Sequence, residues 1–129
     1  MGPVNWLGVV LAAIIATALV IFWHGPLFGT GRSIRPSQVR SGSIAGTGAV
    51  MLIAAVMLGH AFARIGAETL AAKPWLYFMQ SGGIAIAFVI PALLLAHAKS
   101  GRDMHYRLAD CSGWLAAYLL MGATFWVLG

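Results

Sequence analysis

Charged residues are scarce in this 129-residue chain. Lys, Arg, Asp and Glu together make up 9% of it, and hydrophobic residues make up 60%. A soluble domain carries about 25% charged residues, so a surface that faces water on every side cannot be built from this composition. The mean hydropathy of +0.88 points the same way. We therefore expect a membrane protein.

Carboxylates and cysteines are rarer still, and their scarcity restricts the chemistry. The only acids are Glu68, Asp103 and Asp110, and Cys111 is the single cysteine. One cysteine forms neither an intrachain disulfide nor a cysteine zinc cluster. The chain also has no glycine-rich phosphate loop and no serine nucleophile elbow. We expect no enzymatic activity and no cofactor.

Four long apolar stretches take up most of the chain, at residues 5–23, 44–62, 75–98 and 111–128. None contains a carboxylate, a lysine or an arginine. A helix needs about 20 apolar residues to cross about 30 Å of hydrocarbon, and each stretch approaches that length. The pattern predicts an all-α integral membrane bundle of four transmembrane helices, forming a single domain over residues 1–129.

Basic residues lie in the connections between these stretches. The first and third connections hold six of the eight, which are Arg32, Arg35, Arg40, Lys99, Arg102 and Arg107. The positive-inside rule places these connections in the cytoplasm and both termini on the outer, periplasmic side. We expect a multi-pass protein of the bacterial cytoplasmic (inner) membrane whose first helix is retained, because no basic segment of a signal peptide precedes it. The scattered charges, +5 in total, indicate contact with the lipid bilayer and not with nucleic acid.

Glycine and proline mark the expected turns and breaks. Gly25 and Pro26 are predicted to end the first helix, and Gly29 permits a tight turn after them. Pro91 cannot donate a backbone hydrogen bond and is predicted to bend the third helix. The segment 67–72 could form a short interfacial helix. Asp110 precedes the last apolar stretch and is predicted to cap its helix.

Small residues spaced four apart predict close helix packing, because helices associate in lipid through close approach of their backbones. Such positions could serve packing within one bundle or a dimer interface, and both interpretations stay open. The positions are Gly42, Gly46, Gly59, Gly83 and Gly113.

Histidines are the remaining candidates for a reactive site. The predicted topology places His24 and His97 at the inner end of the bundle and His60 near the outer end. Imidazoles on one side could bind a metal, and two at one depth could ligate a haem. The local spacing of a strong metal motif is absent, so we favour interfacial histidines without such a role.

Two segments together resemble a known family. Asn5-Trp6-Leu7 leads to the turn Trp23-His24-Gly25-Pro26-Leu27-Phe28-Gly29, and Gly101-Arg102-Asp103 precedes the last helix. This combination is similar to a bacterial family of small four-helix membrane proteins described only as a domain of unknown function. The resemblance implies four spans over roughly the whole chain and carries over no activity.

The absence of catalytic groups and the abundance of small residues favour one function. We expect a non-enzymatic accessory or structural subunit that packs in a homo-oligomer or a larger membrane complex. The alternative is a small oligomeric transporter or channel. A third possibility is a haem-, metal- or pigment-binding membrane protein.

Overall fold

The computed structural model describes residues 2–28 and 36–129, with side chains from residue 44 onward in the second range. These residues form six α-helices and two π-helical turns. The α-helices are α1 (Trp6–Phe22), α2 (Pro36–Ile65), α3 (Ala67–Ala72), α4 (Trp75–Ile84), α5 (Ile90–Lys99) and α6 (Met104–Leu128), and the π-helical turns are Trp23–Leu27 and Ala85–Val89.

Four helical segments are long and apolar enough to cross a membrane. They are the first span (Trp6–Leu27), the second (Ile44–Ile65), the third (Trp75–Lys99) and the fourth (Met104–Leu128). The prediction of an all-α protein with four candidate membrane helices is confirmed. The predicted short helix at 67–72 is also present, as α3.

The two termini and the second connection lie at the same end of the bundle. The backbone N–H of Gly2 donates to the carbonyl of Ala63 over 3.1 Å. The amide of Asn5 donates to the carbonyl of Leu128 over 3.1 Å. We call this the terminal end, and we call the opposite end, where the first and third connections join the spans, the basic end.

The first span packs between the second and the fourth, and the third span packs along the fourth. Small side chains on the first span let its neighbours approach closely, so that larger core residues fill the space around them. At the terminal end the Phe62 ring lies 4.8 Å from Tyr77 and 5.1 Å from Phe125 between ring centres, which joins three spans. The core includes Val9, Ala12, Ala16, Met51, Ala55, Leu58, Ala117 and Met121.

The first helix does not end before Gly25 and Pro26, contrary to the prediction. It continues to Leu27 as a π-helical turn that contains Pro26. In this turn the N–H of Phe28 donates to the carbonyl of Trp23 over 3.1 Å, five residues back. The wider turn accommodates a proline, which lacks an N–H and would crowd the carbonyl four residues earlier in an α-helix. Gly29 lies outside the described residues.

The fourth helix begins earlier than predicted, at Met104, with Asp103 at the N-cap position. Asp110 therefore lies in the second turn of α6 and is buried, so the predicted capping role is wrong. The polar residues of the first two turns hid this extension from an argument based on apolar length.

Pro91 lies in the first turn of α5, directly after the π-helical turn Ala85–Val89. α4, the π-helical turn and α5 form one continuous span, so Pro91 lies inside a helix, where the wider turn accommodates its ring and its missing N–H. The irregularity in the third span is therefore a widened turn just before the proline.

Candidate functional site

His24, His97 and Asp110 meet at the basic end of the bundle. Nε2 of His24 lies 2.6 Å from one carboxylate oxygen of Asp110, and Nε2 of His97 lies 2.6 Å from the other. The three side chains are 21%, 12% and 10% exposed, respectively. They come from the first, third and fourth spans, so this His–Asp–His cluster joins three helices through one carboxylate.

The geometry also fixes where hydrogens lie in the cluster. Nδ1 of His24 donates to the carbonyl of Val20 over 2.9 Å, because a carbonyl oxygen can only accept. Nε2 of the same ring faces a carboxylate oxygen, which also accepts. With Asp110 ionised, His24 is therefore an imidazolium, and His97 donates its Nε2 hydrogen to the second oxygen.

Trp23 and Gly113 position the first span against the fourth beside this cluster. The indole Nε1 of Trp23 donates to the carbonyl of Ala109 over 2.8 Å. A Cβ at Gly113 would lie 2.7 Å from Cδ1 of Trp23, so the indole packs where only glycine leaves room. The π-helical turn carries both Trp23 and His24, and this explains why the widened turn matters for the site.

Aromatic and basic residues surround the cluster on the side of the third connection. The Tyr106 ring meets the His97 ring edge-on, with 5.1 Å between their centres. The guanidinium of Arg102 lies 4.8 Å from the centre of the Tyr106 ring, within cation–π range. Asp110 is thus the buried anion of an end of the bundle that is otherwise rich in basic residues.

His60 belongs to a different environment. It is exposed in the second span, and its Nδ1 donates to the carbonyl of Val56 over 2.8 Å. Its ring meets Trp6 edge-on at 6.0 Å. The structure therefore brings His24 and His97 together and leaves His60 apart from them.

The same geometry shows whether the His–Asp–His cluster is arranged to hold a metal or a haem. Both Nε2 atoms of the cluster face separate oxygens of Asp110 and do not point at a common position. Among residues 2–28 and 44–129, whose side chains the structure describes, no group of three or more His, Cys, Asp or Glu side chains is arranged to hold a metal ion. The geometry is that of a hydrogen-bonded network between helices.

The glycines predicted for helix packing divide into two groups. A Cβ at Gly59 would lie 2.8 Å from Cγ2 of Val9, so Gly59, like Gly113, is used inside the bundle. At Gly46 and Gly83 a Cβ would meet no atom of the described residues within 4 Å. The surroundings of Gly42 lie outside the described residues.

Gly83 belongs to a lipid-facing surface that also includes Gln80, a residue that the sequence analysis did not single out. Gly83 and Ala87 are both exposed, and Gln80 precedes Gly83 by three residues on the same side of the helix. The Gln80 side chain makes no hydrogen bond to any described residue. The sequence carries a signal for this surface: Gln80 lies five residues after Trp75, the start of the third span, and an amide in hydrocarbon needs a hydrogen-bond partner.

One family model matches the chain over residues 7–126, and its description is "Protein of unknown function (DUF1761)". No curated protein and no solved structure matches significantly.

Proposed function

Because the chain belongs to the DUF1761 family, whose description assigns no activity, we propose its function from geometry alone. It is a non-enzymatic membrane subunit that associates with a second copy of itself through the third span. The contact surface is formed by Gln80, Gly83 and Ala87, which we call the Gln80 face.

The observation that carries this proposal is the open space at Gly83. No atom of the described part of the chain would contact a Cβ there, and Ala87, one turn further on, is exposed as well. Lipid tails are as apolar as leucine, so helices associate in a bilayer where small residues allow close backbone approach. The Gln80 face offers that approach on a helix that packs against a single neighbour for most of its length.

Gln80 adds a polar reason for association. Its side-chain amide carries donors and an acceptor, and it finds no partner among the described residues. In a dimer with a two-fold axis, Gln80 of the second copy supplies both a donor and an acceptor. Amide side chains that bond across helices in this way stabilise association in lipid.

Gly46 provides a contrast within the same chain. Its Cβ position is equally open, but the residue four positions later is Val50, which is large and exposed. Ala49 is exposed three residues after Gly46, but no Asn or Gln side chain accompanies it on the second span. This difference favours the third span as the interface.

The His–Asp–His cluster supports the same function by holding the frame of the bundle. Both carboxylate oxygens of Asp110 and both Nε2 atoms bond to one another. Such mutual pairing favours a structural role over catalysis, because these atoms are committed to each other. The cluster fixes the third span to the first and fourth spans, which orients the Gln80 face.

Energy transfer between donor- and acceptor-labelled copies in liposomes tests the proposal. Gly83→Leu fills the small-residue surface and should abolish the transfer, while the fold is kept because the new side chain points into open space. Gly46→Leu is the matched control and should retain the transfer. Equal transfer in both variants would show that the third span is not the interface.

The placement of the chain in the membrane is part of the proposal. The excess of basic residues at the basic end supports a cytoplasmic position for that end, with both termini outside, in a bacterial inner membrane. A phosphatase fused to the C-terminus should be active in that topology. An inactive phosphatase together with a fluorescent C-terminal GFP fusion would reverse it.

Transport through one bundle finds little support in the core. Among the described residues, the buried polar or charged ones, apart from the phenols of Tyr77 and Tyr118, are Ser81 and Asp110. The Ser81 hydroxyl donates to Tyr77 of its own helix over 2.9 Å, so it does not extend a polar path. A transporter would have to be built between copies, and flux of cations, protons or small metabolites into liposomes would be its signature.

A further inference from the structure

A groove of about 460 Å³ lies between the second and third spans. Small-molecule sites in proteins commonly enclose about 300–1,000 Å³. The fourth span contributes one residue, Tyr118, and the other lining residues are apolar. They are Val50, Ile53, Ala54, Met57, Leu58, Ile84 and Phe88.

Tyr118 is the one polar residue of the lining. It is 8% exposed, and its hydroxyl makes no hydrogen bond to any described residue. Other hydroxyls in the spans bond to their own helices, as those of Thr17 and Thr124 do. Among the described residues no buried side-chain oxygen or nitrogen lacks a partner, so the Tyr118 hydroxyl is accessible and not sealed in the core. In hydrocarbon no water can supply the missing bond. The groove therefore offers a hydrogen-bond donor that its own walls do not satisfy.

The depth of Tyr118 in the membrane restricts which kinds of ligand can accept its hydrogen bond. It lies within α6 about 21 Å from Met104 and about 15 Å from Leu128, at 1.5 Å per residue. The ester carbonyls of phospholipids lie at the edges of the hydrocarbon core, which is about 30 Å thick. An acceptor that reaches Tyr118 must belong to a molecule that is itself soluble in hydrocarbon.

We propose that this groove binds a membrane-soluble quinone. One ring carbonyl accepts the hydrogen bond of Tyr118, the ring lies beside the exposed aromatic side chain of Phe88, and the apolar tail runs along Ile53 and Met57. This ligand brings a carbonyl acceptor to the required depth together with the apolar surface that the walls require.

The site is separate from the Gln80 face. Ile84 and Phe88 follow Gly83 and Ala87 by one residue, which turns them about 100° around the helix. Quinone binding therefore goes beyond self-association, and the two can fail independently. Gly83→Leu should abolish association and leave quinone binding unchanged.

Binding of a benzoquinone with a ten-carbon tail to the full chain in nanodiscs tests the proposal, with decylbenzene as the probe that lacks carbonyls. Tyr118→Phe removes only the hydroxyl and should weaken quinone binding about 3- to 10-fold, the worth of one hydrogen bond. It should leave decylbenzene binding unchanged. Tyr77→Phe, which alters a buried phenol outside the groove, is the matched control and should bind the quinone normally.

A second variant keeps the test independent of the hydroxyl. Ile53 is 66% exposed at the rim, so Ile53→Trp can fill the groove without disturbing the core, and it should weaken both probes. Unchanged quinone affinity in Tyr118→Phe would overturn the proposal. Loss of self-association in Ile53→Trp, with quinone binding intact, would also overturn it, because the occupant would then be a protein helix.

Discussion

Replacing Asp110 separates the hydrogen bonds of the cluster from its charge. Asp110→Leu removes both acceptors and so breaks the bonds of Asp110 to His24 and to His97. Side-chain hydrogen bonds within membrane bundles are worth about 0.6 kcal/mol on average and up to about 1.7 kcal/mol. Charge assistance and the 2.6 Å distances place these two bonds at the upper end of that range. We expect a loss of about 3 kcal/mol in the free energy of unfolding.

Asp110→Asn should be much milder, because the network can be rebuilt without charge. His24 keeps the hydrogen on Nδ1 for the carbonyl of Val20, so its Nε2 becomes an acceptor. The asparagine amide then donates to His24, and its oxygen accepts from His97. Both bonds survive without charge assistance, so we expect a loss of about 1 kcal/mol.

Titration with SDS from mild-detergent micelles, followed by tryptophan fluorescence, measures these free energies. Asp103→Asn is the matched control, because Asp103 is exposed and its side chain makes no capping bond. The expected order of destabilisation is Asp103→Asn, then Asp110→Asn, then Asp110→Leu. A leucine variant as stable as the control would show that the cluster does not hold the bundle. Equal damage from asparagine and leucine would refute the proposed rearrangement of hydrogens.

Three further predictions follow from individual contacts. Gly113→Ala should destabilise the bundle by about 1–3 kcal/mol, because its Cβ would overlap the Trp23 ring. Gly46→Ala, whose Cβ meets no described atom, should leave the stability unchanged. Thermal unfolding in detergent compares the two variants. Asn5→Ala should cost about 1–2 kcal/mol by the same measurement, since the Asn5 side chain caps Gly8 over 2.9 Å and bonds to Leu128; stability equal to wild type would contradict both bonds. Nitrogen-15 spectra of the imidazoles should show His60 protonated on Nδ1 and His24 on both nitrogens, whereas a neutral His24 would contradict the ion pair.

The four spans could be predicted because hydrocarbon imposes a length and a composition that are legible in the sequence. The His–Asp–His cluster could not, since its members are far apart along the chain and meet only through helix packing. Topology did place His24, His97 and Asp110 at one end. The start of the fourth helix was misplaced, however, and Asp110 was assigned to a cap instead of to the core.

The glycines show a second limit of sequence reasoning. Gly59, Gly83 and Gly113 occur in similar small-residue patterns, yet two of them lie against neighbouring side chains and the third faces open space. That difference depends on which side of each helix faces the bundle, and hydropathy says little when all sides are apolar. The π-helical turn at Pro26 escaped prediction because proline ordinarily ends an α-helix.

Self-association through the third span is tested most directly by disulfide cross-linking in native membranes. Cys111 is buried and is first replaced by alanine, so that one introduced cysteine reports alone. Ala87→Cys should form a disulfide-linked dimer under copper–phenanthroline oxidation, while Ala49→Cys, also at an exposed position but on the second span, should remain monomeric. A monomer in the first variant and a dimer in the second would contradict the proposed interface.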